Sequence, residues 1–292
     1  MILLDTGPSP KGWHRLEKFM TCPRKFALQR AVAATGERSP ESMATVLGSM
    51  CHIGIAHHYA IKGAQQRGGV IVGGQLVTDP RELYAPEEAL EIVAGTKRGL
   101  WLEALDKAQT TIRAYREHYA NEQSKVLLVE TVLWYRCGVD PDRPDAPLGE
   151  GRYDQSGRVD LASMFASGSI HIIDHKTTSR PSNQADYYGR SGQFMLYGHM
   201  GHAIFGDAFK GVLLNMIDLG TVSPRFTRPQ LPPVPGKYRR FRSDVVYAED
   251  AIAALERRGL KPADWPAHPS EHTCQTRYSA CPVATQCDWG EI

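Results

Sequence analysis

Apolar positions along the chain recur at two periods, and the switch from one to the other marks out the elements. Between about Pro40 and Ile61, the segment TVLGSMCHIGIAHHYAI places Val46, Met50, Ile53 and Ile61 near one face of a helix, with Gly48 and His52 four apart on a neighbouring face. A glycine one turn below a histidine lets something approach closely. A longer helix is predicted where Trp101, Leu105, Ala108, Ile112, Tyr115 and Tyr119 repeat at spacings of four and three. It reads as packing on the fold without chemistry of its own. WHRLEKFMTCPRKFALQRAV reads as two helical pieces joined at Thr21-Cys22-Pro23, where Thr21 can cap and Pro23 suits a first turn, so Cys22 falls at a helix start. QADYYGRSGQFMLYGHMGHAIFG reads as a helix weakened by glycines, and VVYAEDAIAALERRG as a late helix.

Elsewhere the period falls to two. KVLLVETVLWYRC and KGVLLNMIDLG read as strands, and GRVDLASMF with SIHIIDHKTT as two strands of a hairpin joined by Ala-Ser-Gly. The glycine-rich residues 63–80 read as a flexible loop, PDRPDAPLGEG as a proline-rich connection, and TVSPRFTRPQLPPVPGKYRRFRS as loop-like. Such a mixture of strands and helices predicts an α/β protein. One detail breaks the burial pattern. Alternation puts Asp174 and Lys176 on the face that Ile170 and Ile172 bury, with His171 and His175 on the other face, where both read as structural. If the hairpin register permits, Asp160 lies beside Asp174. Two carboxylates brought together repel each other and favour a hard divalent cation such as magnesium or manganese. A lysine beside them can orient or help deprotonate a water and offset charge on a phosphate. These are the requirements of phosphodiester hydrolysis.

Composition narrows the setting. The chain has 292 residues, 42% of them hydrophobic, enough for a core that needs no staples. Its apolar runs stop well short of a membrane span, and MILLDTGPSP lacks a basic region followed by an apolar core, so a soluble, cytoplasmic protein with no membrane partner is expected. Net charge is only +2, so nucleic-acid binding must come from local clusters. Lys237, Tyr238, Arg239, Arg240, Phe241 and Arg242 form one: either a patch for phosphates and unstacked bases, suited to single-stranded or frayed DNA ends, or a solvated basic loop. Of six cysteines, Cys274, Cys281 and Cys287 crowd into fourteen residues, a clustering that suggests metal before disulfides. Cys51 and Cys137 read as small buried hydrophobes.

GRVDLASMFASGSIHIIDHKTT resembles the Gly-x-x-Asp, spacer, Asp-x-Lys core of the PD-(D/E)XK nucleases, and specifically their RecB-like exonuclease branch. GSMCH resembles that branch's Gly-x-x-x-His motif, QFMLY its Gln-x-x-x-Tyr motif, and FMTCPRKFAL its Cys-Pro-x-x-Phe/Tyr segment, all in the expected order. The resemblance implies a restriction-endonuclease-like central mixed β-sheet flanked by helices, in a single domain over residues 1–292. It implies Asp160, Asp174, Lys176, Gln193 and Tyr197 as catalytic residues, and His52, Asp160, Asp174 and the backbone carbonyl of His175 as ligands of Mn²⁺ or Mg²⁺. Glu130 reads either as a further acidic ligand or supporting group, or as a surface glutamate at a strand edge. Residues 63–125 carry no interpretable motif and read as a helical elaboration.

In relatives of this branch, including AddB-type domains and CRISPR-associated exonucleases, one early cysteine and three late ones hold a [4Fe–4S] cluster. By that resemblance Cys22, Cys274, Cys281 and Cys287 hold one here, in a subdomain of Cys22 plus residues 266–292 that staples the chain's two ends. The match departs in spacing: six residues separate the first two late cysteines where two are usual, and Tyr278 stands where the closer cysteine would fall. Zinc is the rival, with His272 able to replace a cysteine. The expected function is a divalent-metal-dependent DNA exonuclease of recombination, repair, phage DNA processing or CRISPR spacer processing. The alternatives are a non-hydrolytic DNA-binding subunit of a larger helicase or adaptation complex, with protein partners to match, and a zinc-stapled nucleic-acid-binding protein.

Overall fold

The computed structural model describes residues 1–36, 41–179, 184–220, 223–232, 235–268, 274 and 281–287. In chain order its elements are α1 (Trp13–Thr21), α2 (Pro23–Ala34), α3 (Met43–Ala64), β1 (Val70–Val72), β2 (Gln75–Val77), α4 (Pro86–Lys97), α5 (Leu100–His118), β3 (Ser124–Arg136), β4 (Asp154–Phe165), β5 (Ile170–Thr178), α6 (Gln184–Tyr188), α7 (Gly192–Phe205), β6 (Phe209–Asp218), β7 (Arg225–Thr227), β8 (Gln230–Leu231) and α8 (Pro235–Arg257). Among the described residues the strands form one eight-stranded mixed sheet in the order β2-β1-β3-β4-β5-β6-β7, with β8 also paired to β6. The expected α/β class with a central mixed sheet and flanking helices is therefore observed. The chain divides into two compact units, one of Met1–Pro10, Glu41–Trp134 and Ser156–Pro235, the other of Lys11–Pro40, Tyr135–Gln155 and Gly236–Ile292.

In the first unit, β4 and β5 form the expected antiparallel hairpin, with Leu161 opposite Ile173 and Ala162 opposite Ile172. One further step of this register sets Asp160 opposite Asp174. Strand β5 pairs in parallel with β6, which places it deep in the sheet, and the apolar residues Ile172, Ile173, Leu214 and Ile217 are almost fully buried. Helix α3 was expected to bury one face. It buries most of its circumference instead, Leu47, Cys51, Ile55 and Tyr59 as well as Val46 and Met50, because α4 and α5 both pack on it.

Residues 63–80 are not a loop throughout: β1 and β2 form a hairpin within them, and β1 adds in parallel to β3. Val70, Val72 and Val77 turn inward, so short strands bounded by glycines had the look of a flexible segment. The predicted helix over residues 184–206 is two helices, since Ser191 caps α7 by accepting from Gln193 N.

The second unit holds α1, α2 and α8. The predicted break at Cys22 is present, with Pro23 in the first helical turn of α2. Thr21 does not cap it; its hydroxyl donates back to the carbonyl of Glu17, and Cys22 occupies the cap position. Phe19, Phe26 and Trp265 pack edge to face or tilted at 5.6–6.4 Å between ring centroids. Glu249 is buried, ion-paired to Arg15 and accepting from Gln155 Nε2 at 2.8 Å.

Candidate active site

Four elements of the first unit converge on one acidic cluster. Strand β4 supplies Asp160, β5 supplies Asp174 and Lys176, α3 supplies His52 and β3 supplies Glu130. One donor atom from each of His52, Glu130 and Asp160 lies within 4.8 Å of the others. His52 Nδ1 stands 3.4 Å from Asp160 Oδ2, which also accepts a 2.8 Å hydrogen bond from the backbone N–H of His175. The carbonyl of His175 accepts from the His52 ring. Asp174 lies beside this group without joining it, for Lys176 Nζ sits 2.7 Å from its Oδ2 and Gln193 Nε2 donates to its Oδ1 at 3.3 Å.

The electrostatics are those of buried carboxyl groups crowded together and only partly balanced by Lys176. Burial, reinforced by Asp160, holds the Glu130 carboxyl well above the usual carboxylate range. Burial likewise raises Asp160, with Lys176 and the His175 N–H opposing it, and pushes Asp174 up to about 6 against the pull of Lys176. Desolvation works against the Lys176 ammonium, yet Asp174 and Asp160 together outweigh it and hold its pKa above the ordinary value. His52 keeps 24% side-chain exposure, but crowding by protein on its other sides, with Lys176 nearby, pulls it down to about 4. It is a neutral imidazole at pH 7, with a lone pair to give. Carboxylate oxygens, one imidazole and a nearby backbone carbonyl suit a hard divalent cation, and a bound cation would relieve the repulsion that raises these carboxyl groups.

Glu130 carries a second mark. It adopts φ +45°, a left-handed conformation that costs a non-glycine residue about 1–3 kcal/mol, and the two-residue alternation of β3 fails there, with Glu130 and Thr131 both buried. It is a buried member of the acidic cluster and not an exposed edge residue.

Helix α7 fixes the second layer. Gln193 Nε2 contacts Tyr197 Oη at 3.0 Å, and Tyr197 donates a 2.5 Å bond to the carbonyl of Arg158 on β4. The helix can come this close because Gly157 has no side chain: a Cβ there would meet the Tyr197 ring at 2.9 Å and Met200 Sδ at 3.1 Å. Gly48 does the same for α3, since its missing Cβ would stand 2.9 Å from Thr177 Oγ1 on β5. What approaches the glycine one turn below His52 is thus strand β5 itself.

On the reverse face of β5, His175 is buried and its ring stacks on Tyr59. Its Nδ1 lies 2.7 Å from Asn215 Nδ2. Tyr119 Oη and Arg228 Nε both donate to Asn215 Oδ1, which fixes the amide so that Nδ2 donates to His175. Arg228 also pairs with Glu122 and stacks on Tyr119. Helix α5, expected to carry no chemistry of its own, brings Tyr115 and its C-cap residue Tyr119 into this network. Sequence pattern missed the network, because its members are scattered and each alone reads as a surface or core residue. It also missed Tyr188, whose ring lies 5.8 Å from Lys176 Nζ.

The expected DNA-binding patch and the four expected cluster cysteines belong to the second unit. Lys237 to Arg242 are not a loop but the early turns of α8. Phe241 is buried, its ring 5.0 Å from that of Trp13, so it is not offered to a base, and the exposed Arg242 donates through Nε to the carbonyl of Cys137. Lys237, Arg239 and Arg240 remain exposed. Cys22 is buried at the start of α2, Arg24 Nη1 lies 3.9 Å from Cys287 Sγ, and the N–H of Cys281 donates to the carbonyl of Cys274 at 2.8 Å. His272 lies outside the described residues. Burial pushes the thiols of Cys51 and Cys137 up to about 12, which makes both inert.

Among the described residues no helix is long and apolar enough to cross a membrane. A search of curated proteins returns no match. A solved structure titled "Crystal structure of SSO0001" aligns over 76% of this chain and 85% of its own, with a TM-score of 0.28 and 12% identity, a likeness too low to bear on fold or function. A family model described as the PD-(D/E)XK nuclease superfamily matches residues 13–288, the span that holds every acidic and basic residue of the cluster. With an Asp-x-Lys strand, a partner aspartate on the preceding strand and a three-donor pocket beside them, the chain belongs to the PD-(D/E)XK nuclease superfamily, a group of divalent-metal-dependent nucleases.

Proposed function

We propose that the protein is a metal-dependent deoxyribonuclease of the RecB-like branch, an exonuclease acting at single-stranded or frayed DNA ends. The observation that carries this reading is the convergence of the His52, Glu130 and Asp160 donor atoms within 4.8 Å of one another, beside the Asp174–Lys176 pair. His52, Glu130, Asp160 and the His175 carbonyl would hold Mg²⁺ or Mn²⁺, with Asp174 at the margin. When bound, the ion supplies Lewis-acid chemistry for phosphodiester hydrolysis. Lys176, charged at neutral pH, offsets the negative charge that builds on the phosphate and orients the attacking water. Gln193 holds the Asp174 carboxylate in place, and Tyr197 ties Gln193 to β4. The exonuclease assignment rests on the order of the sequence motifs.

A [4Fe–4S] cluster on Cys22, Cys274, Cys281 and Cys287 completes the reading. The backbone bond between Cys274 and Cys281, and the approach of Arg24 to Cys287, support a shared structural role for these cysteines. Taken as one nuclease domain with this subdomain, the chain fits recombination, repair, phage DNA processing or spacer processing in the cytoplasm. Labelled single- and double-stranded DNA incubated with Mn²⁺ or Mg²⁺ tests the activity. The wild type should degrade DNA from its ends, and Asp174→Ala and Lys176→Ala should each lose about a hundredfold or more. Intact DNA with both ions, or full activity in both variants, would sink the nuclease reading. Anaerobic purification should give a brown protein with charge-transfer absorption; a colourless one with stoichiometric zinc would refute the cluster.

A further inference from the structure

Beside Glu130 the first unit encloses a cavity of about 300 Å³, within the range of small ligand sites, walled by Val72, Val132 and Gln75 and closed by the segment that carries Asp5. Among the described residues that line it, the cation is Arg158. Period-two alternation puts Arg158 on the same face of β4 as Asp160, so its guanidinium emerges next to the acidic cluster. Arg158 Nη1 donates to the carbonyl of Asp5 at 2.6 Å and Nη2 to its carboxylate at 2.8 Å. The guanidinium fork thus grips two oxygens of one residue, as it would grip two non-bridging oxygens of a phosphate. The two partners differ in exposure: the Asp5 side chain is 76% exposed, that of Arg158 only 15%. Arg158 is also anchored through its carbonyl by Tyr197, and its Nε is buried without a hydrogen-bond partner among the described residues.

We propose that this cavity is a phosphate subsite of the DNA strand, in which Arg158 binds a backbone phosphate next to the acidic cluster and Asp5 occupies the guanidinium until DNA displaces it. The inference rests on the nuclease reading for its substrate. An exposed carboxylate gives up such a pair at small cost, because surface ion pairs are weak. The half-buried arginine cannot follow it into water and accepts the phosphate in its place. Asp5 therefore acts as an internal competitor, and removing its charge strengthens DNA binding.

The test is equilibrium binding of a fluorescein-labelled single-stranded oligonucleotide across a salt series, in the Lys176→Ala background so that the strand is not consumed. Asp5→Asn, which keeps the acceptor for Gly7 N–H, should bind about threefold tighter. Arg158→Gln should bind about tenfold weaker, with a salt slope shallower by about 0.7 as one phosphate contact is lost, and Arg158→Lys should restore part of both. In the Arg158→Gln background, Asp5→Asn should gain nothing. Asp5→Asn binding no tighter, Arg158→Gln keeping the full salt slope, or a parent protein that binds no DNA each overturns the subsite. Should Arg158→Gln fail to fold, exposed Asp5 decides the matter alone. Hydrolysis by the wild type is scored separately: expected binding shifts without any cleavage would leave the subsite standing and remove the nuclease reading.

Discussion

Glu130, Asp160 and Asp174 are buried around one neutral imidazole, and each is raised above its ordinary pKa with burial the leading cause. Such a cluster stores free energy that folding must supply elsewhere. For Asp174 the sign can be followed through. Its folded pKa of about 6 exceeds the ordinary 3.8, so the folded protein holds this proton more tightly than the unfolded chain. Below pH 3.8 both states are protonated and the group contributes nothing. As pH rises toward 6 the unfolded chain releases its proton first, and the folded state loses stability across that window by up to about 3 kcal/mol. The attraction of Lys176 is already included in that pKa. In metal-free buffer Asp174→Asn should therefore flatten this part of the melting profile and raise the melting temperature at pH 7, while hydrolysis is lost. A variant melting at or below the wild type at pH 7 would show that the Lys176 pair outweighs the cost of burial. Manganese gives the converse measurement. It should raise the wild-type melting temperature in proportion to ligand binding, and Glu130→Gln should lose most of that rise. An unchanged rise would remove Glu130 from the ligand set.

Elements hold the site through close approach, and two glycines set the distances. At Gly157 an added methyl meets the ring of Tyr197, a buried side chain fixed by its bonds to Gln193 and the Arg158 carbonyl, so α7 must move. Gly157→Ala should cost about 1–3 kcal/mol and loosen the hold of Gln193 on Asp174, lowering turnover as well as the denaturation midpoint. At Gly48 the obstacle is a threonine hydroxyl, which can rotate aside, so Gly48→Ala should be the milder change by denaturant melting. Equal costs would mean that α3 is as rigidly seated on β5 as α7 is on β4. The same elements show how far sequence can be read. The β4–β5 hairpin and the placing of Asp174 and Lys176 on the opposite face from His171 and His175 were legible from alternation and a short turn, whereas the register that sets Asp160 opposite Asp174 needed the strand pairing itself. The break at Cys22-Pro23 was legible from proline chemistry. The β1–β2 hairpin was not, since three-residue strands between glycines leave no period to detect. Nor was the start of α8, where a proline-dense approach suggested a loop although Pro235 falls in the first helical turn. Glu130 stayed ambiguous for a related reason: a positive φ breaks the alternation by which a strand reveals its faces.

At the scale of the whole chain, the acidic cluster and the four cysteines proposed as a second metal set lie in different compact units and share no residue. His52, Glu130, Asp160, Asp174 and Lys176 belong to the first, and Cys22, Cys274, Cys281 and Cys287 to the second. A formal net charge of +2 adds little long-range field, so an ion at either set would be recruited through local donors. Hard oxygen donors with one neutral imidazole select a divalent cation that exchanges with solvent, whereas four thiolates select a soft, structural one. Loss of the second should therefore be felt as stability and not as loss of the first. Cys281→Ser should lower the melting temperature by roughly 5 °C or more, since a structural metal site contributes folding free energy directly. At a temperature where that variant remains folded, calorimetric titration should still find manganese binding with the wild-type stoichiometry, and Glu130→Gln should show the reverse pattern of retained cysteine-bound metal and weakened manganese binding. If Cys281→Ser abolishes manganese binding while its circular dichroism is unchanged, the two sets are coupled, and the cysteines help to shape the acidic cluster as well as to stabilise their own unit.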